Sequence, residues 1–395
     1  MSKTLPISEF TSKIGSGATP KGGKEAYLGG EYTLIRSQNV HDFFFSHDGL
    51  AYINSKQAKA LDNVKVKQGD VLLNITGDSI ARCCSVPQDV LPARVNQHVS
   101  IIRCKNIEDS EYLKYYLINM KPYLMKICGV GGTRNALTKE AIGKLPITFQ
   151  NNHTKLANIL STLDSKIELN NKINKELEIM AKTLYDYWFV QFDFPNENGK
   201  PYKSSGGKMV YNKELKREIP EGWDVKDLEE ICEIYQPQTI SEKEMIKDGK
   251  YFVFGANGIV GMYDKYNHED SEVTITCRGN SCGTLNRTLP YSWITGNAMV
   301  VRFKDDKIHN EYLMQLLSWT KMDNVITGSA QPQITRTNLA PLKILIPKNN
   351  ILDNFSQKME FNINLQLKNI EQNQELAKLR DWLLPMLMNG QVRVK

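Results

Sequence analysis

The sequence has 395 residues, of which 41% are hydrophobic and 24% are charged, and its formal net charge at pH 7 is +6. This length exceeds one ordinary hydrophobic core, and the composition is that of a globular protein rather than a disordered or fibrous one. No apolar run reaches the roughly 18 residues that a membrane span requires, and the start of the chain lacks the apolar segment of a signal peptide. We therefore expect at least two domains and a cytoplasmic protein.

Charge is distributed unevenly along the chain. Residues 1–149 contain 19 basic and 13 acidic residues, whereas residues 193–347 contain 19 basic and 21 acidic ones. A basic first region fits a polyanionic partner, but the acidic second region weakens any argument from charge alone. The seven cysteines include no Cys-x-x-Cys pair and the six histidines have no metal-ligand spacing, so we expect free thiols and no metal site.

The first region, residues 1–149, begins with short segments typical of β-strands, among them YTLIRSQNV, GDVLLNIT and HVSIIRC. Their β-branched residues and alternating polarity favour strands bounded by glycine-rich turns. One helix is predicted over SEYLKYYLINMKPYLMKI. A glycine-rich loop, residues 129–134, and a further strand close the region.

A long helix is predicted over residues 152–191, within a segment that spans 150–192. Apolar residues recur at heptad spacing in two rows, at 156, 163, 170, 177 and 184 and at 159, 166, 173, 180 and 187, with Asn170 and Lys166 as the polar exceptions. Such a helix is about 60 Å long. A small domain cannot cover the whole stripe, so the helix needs a partner helix.

Residues 193–347 begin with a linker, 193–223, that is rich in Gly, Pro, Ser and Lys, and continue as a second domain. This domain repeats the first at a separation of about 200 residues. VLLNITGDS at 71–79 resembles VTITCRGNS at 273–281, Glu111-Tyr112-Leu113 recurs as Glu311-Tyr312-Leu313, and AMVVRF is the counterpart of HVSIIRC. The order of elements is the same in both copies, which indicates a duplicated unit.

The second copy also runs into a long helix, predicted over 351–388 within the segment 348–395. Its stripe comprises Phe355, Met359, Ile363, Ile370, Leu376, Leu379 and Leu383. In the repeat Asn170 corresponds to Asn369, and a buried polar residue at such a position fixes helix register. The residues predicted to pack between the helices are Leu156, Leu163, Asn170, Leu177, Leu184, Phe355, Ile363, Asn369, Leu376 and Leu383.

Several motifs in this order resemble the specificity subunits of type I restriction–modification systems. They are Ser16-Gly17-Ala18-Thr19-Pro20, Ile219-Pro220-Glu221-Gly222-Trp223, the segment YFVFGANGIVG at 251–261, and the strands LPI at 145–147 and LKILIP at 342–347. The resemblance covers nearly the whole chain. One departure is the stretch after Pro146, TFQNNHTKLANI, which lacks the family's usual form.

The resemblance implies an α+β fold, in which two pseudo-repeated α/β target-recognition domains are joined by two long antiparallel helices that form a coiled-coil-like spacer. It also implies a subunit without catalytic activity. Each recognition domain is expected to read one half of a split, asymmetric DNA target, with the helices setting the spacing. Two modification (methyltransferase) subunits and two restriction subunits are the expected protein partners, and S-adenosylmethionine, ATP and Mg²⁺ are expected on those partners and not on this chain.

The sequence contains few of the motifs that are typical of catalytic sites. We find no Asn/Asp-Pro-Pro-Tyr/Phe motif of an amino-methyltransferase, no phosphate-binding loop and no nuclease pattern. Two alternatives stay open from the sequence: an adaptor that binds proteins through its coiled coil, and a methyltransferase fused to its own recognition region. Only a DNA-binding protein is expected to show steeply salt-dependent DNA affinity.

Reading bases requires forked or polar side chains on loops, because Arg and Lys suit guanine and Asn and Gln suit adenine. The candidates in the first region are Thr19, Lys21, Lys24, Arg36, Gln38, Arg82, Arg94, Asn96, Gln97, Thr133 and Arg134. Those in the second are Asn257, Arg278, Asn280, Arg287, Ser329, Gln331, Gln333 and Arg336. Asn39, Asn96 and Asn297 are alternatively expected to cap turns.

Overall fold

The structure of the protein is a computed structural model that describes residues 3–20, 23–27, 29–128, 136–247, 249–279, 281–304, 310–320, 322–328 and 331–392. The chain divides into two compact units. The first comprises Met1–Asn170 with Glu371–Lys395, and the second comprises Asn171–Ile370. Each unit therefore contains one of the two repeated regions and a segment of both long helices.

The first unit is built from short strands and helices that precede the first long helix. Its strands are β1 (Lys3–Pro6), β2 (Thr11–Ser16), β3 (Tyr32–Ile35), β4 (Ala51–Ile53), β5 (Val71–Asn74), β6 (Cys83–Ser85), β7 (Ala93–Val95), β8 (Val99–Cys104) and β9 (Pro146–Phe149). Its short helices are α1 (Ile7–Phe10), α2 (Ser55–Ala60), α3 (Ser110–Asn119), α4 (Lys121–Cys128) and α5 (Lys139–Gly143).

Two sheets carry this unit. Strands β2, β8, β5 and β6 form an antiparallel sheet in that order, and β4, β3 and β7 form a second sheet in which β3 and β7 are parallel. All four side chains of β5 are buried, so this strand is central, with α3 covering one face through Tyr112 and Leu113. The strand β1 pairs with β9, which joins the two ends of the region.

The second unit repeats this architecture. Its strands are β10 (Met209–Asn212), β11 (Arg217–Pro220), β12 (Asp224–Asp227), β13 (Cys232–Tyr235), β14 (Tyr251–Gly255), β15 (Gly258–Tyr263), β16 (Val273–Thr276), β17 (Leu285–Arg287), β18 (Trp293–Ile294), β19 (Ala298–Phe303) and β20 (Lys343–Ile346). The helices are α7 (Leu228–Ile231), α8 (Asn310–Trp319) and α9 (Arg336–Leu339). The long helices are α6 (His153–Tyr185) and α10 (Asn349–Met388).

The sheet orders confirm the predicted duplication. Strands β13, β19, β16 and β17 lie in the same order as β2, β8, β5 and β6, and β15, β14 and β18 repeat the smaller sheet with its parallel pair. An ion pair with a buried carboxylate recurs at the same place, because Arg103 contacts Asp70 in the first unit and Arg302 contacts Glu272 in the second. The fold is thus α+β with two copies of one α/β region, as predicted.

The helix predicted over SEYLKYYLINMKPYLMKI is divided into α3 and α4 at Met120. Pro122 lies in the first turn of α4, where its missing N–H and its ring are tolerated. The same ring in the middle of one continuous helix would clash with the preceding turn. The break is therefore a direct consequence of the proline.

Segments of α6 and α10 run antiparallel within each unit. In the first unit, Arg380 pairs with Asp164 at 2.9 Å and the Gln150 side-chain amide donates to the Leu387 carbonyl at 2.8 Å. In the second, the ring of Phe355 on α10 packs against those of Trp188 and Phe189. The last turn after α6, Asp186–Val190, has π-helical geometry.

Five of the ten residues predicted to pack between the helices are buried. Leu156, Asn170, Leu177, Phe355 and Asn369 are buried, and the remaining predicted packing residues, Leu163, Leu184, Ile363, Leu376 and Leu383, are half-buried. The second row of α6 was only partly correct: Ile159 and Ile173 are half-buried, but Lys166, Met180 and Tyr187 are exposed. Buried residues lie one position later, at Leu160, Ala181 and Trp188. On α10, Leu379 is also exposed, so it does not belong to the stripe.

Residues 193–223 are more ordered than the predicted linker. They contain the antiparallel hairpin of β10 and β11, and Phe194 stacks on Tyr202 at 4.7 Å and on Trp223 at 5.0 Å between ring centroids. Phe194 and Trp223 belong to the buried core of the second unit. Aromatic burial thus fixes a segment whose Gly, Pro and Lys content alone suggested a flexible connection.

The remaining general expectations concern cysteines and membranes. All seven cysteines are free thiols, and six of them are buried, as expected. Burial raises the pKa of Cys84 and Cys232 to about 12, which keeps these thiols protonated and inert. Among the helices of the described residues, none is long and apolar enough to span a bilayer.

Candidate nucleic-acid interface

Three loops of the first unit meet in a polar cluster at the end of β5. The Thr19 hydroxyl donates to Oε1 of Gln97, the Gln97 amide nitrogen lies 3.1 Å from Nε2 of His98, and His98 Nδ1 lies 2.5 Å from the Thr76 hydroxyl. We call Thr19, Thr76, Gln97 and His98 the first polar cluster. Thr19 and Gln97 are exposed, so their groups face solvent.

The sequence analysis identified Thr19 and Gln97 but missed Thr76 and His98. His98 directly precedes β8 and Thr76 follows β5, and these two strands are hydrogen-bonded neighbours. The sequence did contain a signal for Thr76 and His98. Polar residues that follow one buried strand and precede its antiparallel neighbour come together at the same edge of the sheet. Pairing β5 with β8 was the missing step.

A second group of candidates on this unit supports a neighbouring loop. Arg36 and Gln38 both donate to the Gly49 carbonyl, at 2.6 and 3.2 Å. Gly49 has a φ of +61°, a conformation that favours glycine. Gln38 is exposed and Arg36 is half-buried, so each keeps further N–H donors for a ligand while holding the loop.

The structure assigns Arg94 and Asn96 to the protein interior. Arg94 is 3% exposed, and its guanidinium donates to the carbonyls of Ala58 and Ala93 and to the Asp62 carboxylate. We therefore remove Arg94 from the candidate contacts, because burial and these partners occupy its donors. Asn96 is buried as well and accepts from the His98 N–H at 3.0 Å, which is the turn-capping role considered for it.

The other candidates of the first unit lie in turns or outside the described residues. Arg82 is half-buried in the turn between β5 and β6. Lys24 lies in a 3₁₀ turn, and only its backbone is described. Lys21, Thr133 and Arg134 lie outside the described residues, as do Asn280 and Ser329 of the second unit.

The second unit presents exposed side chains at the equivalent place. Arg278 follows β16 as Thr76 follows β5, and its backbone bridges to Gln333 just as Thr76 bridges to Ala136. The Gly279 N–H donates to the Pro332 carbonyl at 3.1 Å, which holds the two segments together. Arg278, Gln331 and Gln333 are all exposed.

The turn between β14 and β15 joins this group. The Ala256 carbonyl accepts hydrogen bonds from the Asn286 amide, at 3.2 Å, and from the Thr276 hydroxyl, which brings the exposed Asn257 to the edge where β16 ends. We call Asn257, Arg278, Gln331 and Gln333 the second polar cluster. Arg336, exposed at the start of α9, lies three residues beyond it in sequence.

Arg287 has a structural role. It forms an ion pair with Glu311, and the two side chains are 16% and 7% exposed. A base contact by this guanidinium would leave the Glu311 carboxylate buried without its partner, at a cost of several kcal/mol. The ion pair also lines a cavity of about 760 Å³ between α8 and the helix segments of this unit.

The loop contact around Thr19 is also duplicated. In the second unit the Gly296 N–H donates to the Thr239 hydroxyl at 3.2 Å, and Thr239 and Gly296 occupy the places of Thr19 and Gln97. The fold thus presents the same three-loop junction twice, with different side chains on it. In the described part of the chain, no group of three His, Cys, Asp or Glu side chains could hold a metal ion.

Forked amides and a guanidinium on exposed loops can form two hydrogen bonds at once with a base edge. Gln97, Gln331, Gln333 and Asn257 supply amides and Arg278 supplies the guanidinium. The hydroxyl groups of Thr19 and Thr76 add single donors or acceptors. This chemistry suits recognition of nucleic-acid bases and phosphates in both units.

Comparisons with known proteins give a consistent result. The model of the family described as "Type I restriction modification DNA specificity domain" matches residues 3–179 and again residues 220–379. The MjaIX specificity subunit of a type I restriction enzyme from Methanocaldococcus jannaschii is 26% identical over 413 residues, covering 97% of this chain and 92% of the relative. The HindI specificity subunit from Haemophilus influenzae is 23% identical over 440 residues, covering 91% and 94%.

A solved structure shares the fold. The crystal structure of the S subunit of a type I restriction–modification system from M. genitalium aligns with a TM-score of 0.54 at 14% sequence identity. The alignment covers 98% of this chain and 96% of that one. At this identity the similarity concerns the fold alone.

Proposed function

The chain belongs to the family of type I restriction–modification DNA specificity proteins, and from that membership we propose that it is the subunit that selects the DNA target of such a complex. The observation that carries the proposal is the duplicated loop junction. Two copies of one fold each present exposed amide, hydroxyl or guanidinium groups at the same sheet edge. Each copy is proposed to read one half of a split target.

Differences between the two clusters favour an asymmetric target. Thr76 in the first unit corresponds to Arg278 in the second, and Gln97 corresponds to Gly296. A guanidinium suits guanine, whereas an amide suits adenine. Two clusters with different donors at equivalent places are therefore expected to select different bases.

The long helices are proposed to fix the distance between the half-targets and to bind the modification subunits. Support comes from large apolar side chains that stay exposed on them, among them Met180, Phe361 and Trp382 at 57%, 71% and 58% exposure. A protein partner that covers these side chains would remove their apolar surface from water. Two modification subunits, joined by two restriction subunits, are the proposed partners.

The proposed role is not catalytic and takes place on DNA in the cytoplasm. S-adenosylmethionine, ATP and Mg²⁺ are proposed to bind the partner subunits. The part played by this chain is to position those partners on the target, since its clusters offer hydrogen-bonding groups suited to bases and phosphates.

Exchanging the first recognition region tests the proposal. Residues 1–149 are replaced by the matching region of another family member, with the boundary after β9 so that β1 and β9 move together. The complex with its modification partner is then assayed on a randomised duplex library. One changed half-target and one retained half-target are expected. A change in both halves, or no selection by the parent and the chimera, would contradict modular reading.

A further inference from the structure

The first unit has a basic surface at the end of its main sheet opposite to the first polar cluster. Four lysines surround Arg103 there: Lys13 is the strand partner of Arg103, Lys105 follows β8, the Lys65 carbonyl accepts from the Arg103 guanidinium at 3.0 Å, and Lys67 lies two residues further. We call Lys13, Lys65, Lys67 and Lys105 the basic face. Lys65, Lys67 and Lys105 are exposed.

Three of the carboxylates bordering this face are already paired. Asp70 is fully buried and pairs with Arg103 at 2.7 Å, Asp62 pairs with Arg94, and Asp109 lies 2.8 Å from the ring of His153. Among the described residues, Lys65, Lys67 and Lys105 have no carboxylate within ion-pair distance. Glu108 at the rim and Glu9, next to the Phe10 carbonyl that accepts from the Lys105 N–H, are exposed and reduce the net charge by two. The four lysines still leave the face with a net positive charge.

The second unit shows that this charge is not required by the fold. Glu233 is the strand partner of Arg302, so it occupies the place of Lys13, and Glu269 precedes Glu272 as Lys67 precedes Asp70. The charge is thus reversed at two equivalent positions around a retained ion pair, whereas Lys105 keeps its sign as Lys304. The fold therefore does not require positive charge at the places of Lys13 and Lys67.

The basic face is distant from the first polar cluster, which is proposed to contact bases. His98 and Lys105 are seven residues apart along β8, which corresponds to about 23 Å at roughly 3.3 Å per residue. One base pair rises by about 3.4 Å, so a duplex that runs along β8 spans about seven base pairs between the two sites. Lysines are flexible point charges, suited to phosphates and not to a base edge.

We propose that the basic face binds the sugar–phosphate backbone of duplex DNA, without sequence preference, about seven base pairs or more from the bases that the first unit reads. This contact goes beyond the proposed function, which concerns base reading. It adds affinity for any DNA and holds flanking duplex against the first unit. The acidic counterpart in the second unit makes the contact one-sided.

The test measures the salt dependence of DNA affinity for the full-length chain with a 40-base-pair duplex that lacks the target, by fluorescence anisotropy over a series of salt concentrations. The test variant is Lys65→Gln/Lys67→Gln/Lys105→Gln. A matched control, Lys126→Gln/Lys155→Gln/Lys166→Gln, removes the same charge from exposed lysines elsewhere in the same unit. Unchanged melting temperatures verify that both variants fold.

Each neutralised phosphate contact lowers the slope of log affinity against log salt by about 0.9. We expect the test variant to lose about 2 to 3 from the magnitude of the slope, with at least tenfold weaker binding near 0.1 M salt, and the control to change by less than 1. The ratio of target to non-target affinity should stay the same. Lys67→Glu, which introduces the charge found at Glu269, should weaken binding further than Lys67→Gln.

Equal slopes for the test and control variants would overturn the proposal, even if target preference persists. Equal slopes combined with loss of binding to an acidic protein by the test variant would also overturn the proposal, because the basic face would then bind protein and not DNA. Failure of the proposed function would give a different result. Neither the parent nor the variants would then distinguish target from non-target DNA, although their salt slopes would still differ.

Discussion

The side-chain amide of Asn170 donates a 2.8 Å hydrogen bond to Oδ1 of Asn373, in a contact between α6 and α10 within the first unit. Its repeat counterpart, Asn369, donates at the same distance to Oδ1 of Asn174 in the second unit. Both donors are buried, at 0% and 6% exposure. A polar contact repeated at equivalent places fixes the register of each helix pair, because a shifted register would leave the amides unsatisfied.

Removing the first of these amides should destabilise the first unit. Asn170→Ala leaves the acceptor oxygens of Gln372 and Asn373 without their donor, and the expected loss is about 1–3 kcal/mol in the free energy of unfolding. Urea unfolding of the full chain measures it. Lys166→Ala, at an exposed position of the same helix, should change stability by less than about 0.5 kcal/mol. Equal effects of the two substitutions would contradict the register role.

The existence of this helix pair could be predicted from the sequence, but the residues in the seam, which is the row of side chains that packs between the helices, could be predicted only in part. Leu156 and Leu177 are buried as predicted, but the row at 160, 167, 174, 181 and 188 is more buried than the predicted row at 159, 166, 173, 180 and 187. Both rows are mostly apolar, so hydrophobicity alone did not distinguish them. The choice depends on which face meets the recognition region, and that is a tertiary contact that periodicity does not contain.

Substitutions of Arg94 and Gln97 should have different effects on stability and on DNA binding. Arg94→Ala removes the partner of the Ala58 carbonyl and the Asp62 carboxylate, so we expect a loss of at least about 2 kcal/mol in unfolding free energy. Gln97→Ala should leave stability within about 0.5 kcal/mol and weaken target binding, since the side chain is exposed. Unfolding curves and DNA titrations of both variants provide the comparison, and the reverse pattern would show that the assignment is wrong.

The positions of the candidate recognition residues could be predicted from the sequence only in part. Exposed Gln, Arg and Thr side chains do lie on loops at strand ends, because buried strands leave polar residues at the sheet edge. Burial of a given arginine could not be predicted: Arg94 lies within β7 and faces the core, whereas Arg278 follows β16 and faces solvent. Likewise, the partnership of Arg287 with Glu311 depends on α8 packing beside β17.

Arg278 should read one base position in the half-target of the second unit. Arg278→Lys keeps the positive charge but loses the fork, so binding to the correct base should weaken by about 1–3 kcal/mol while affinity for non-target DNA stays the same. Titrations with duplexes substituted at each target position identify the affected position. If Arg278→Lys is neutral and Arg278→Ala weakens all duplexes equally, the residue contacts only phosphate.

Acid should destabilise the second unit through His268. Burial, with Arg302 nearby, lowers the pKa of His268 to about 4, and the ring is hydrogen-bonded to Tyr235 and Asn267. The unfolded chain takes up this proton near pH 6.5, so the stability present above that pH is lost as pH falls towards 4. Between pH 7 and 4 the parent should lose about 1–3 kcal/mol more than His268→Gln, since solvent screens part of the effect. Parallel pH profiles of unfolding would contradict this.

Lengthening the helix pair should lengthen the gap between half-targets. One heptad inserted after Lys166 in α6 and one after Leu376 in α10 keep the pairing, since Asp164 pairs with Arg380 and Asn170 with Asn373 on either side. Seven residues add about 10 Å, equal to about three base pairs. An insertion in one helix alone should abolish target selection. An unchanged gap after the double insertion would exclude the helices as the spacer.

Methylation mapping tests the central claim most directly. A host expressing this chain with its modification partner is compared with the same host lacking only this chain, and methylated adenines are mapped across the genome. We expect a split, asymmetric methylated motif that disappears with the chain. An unchanged methylation pattern, with the modification partner present and soluble, would contradict the assignment of target selection to this protein.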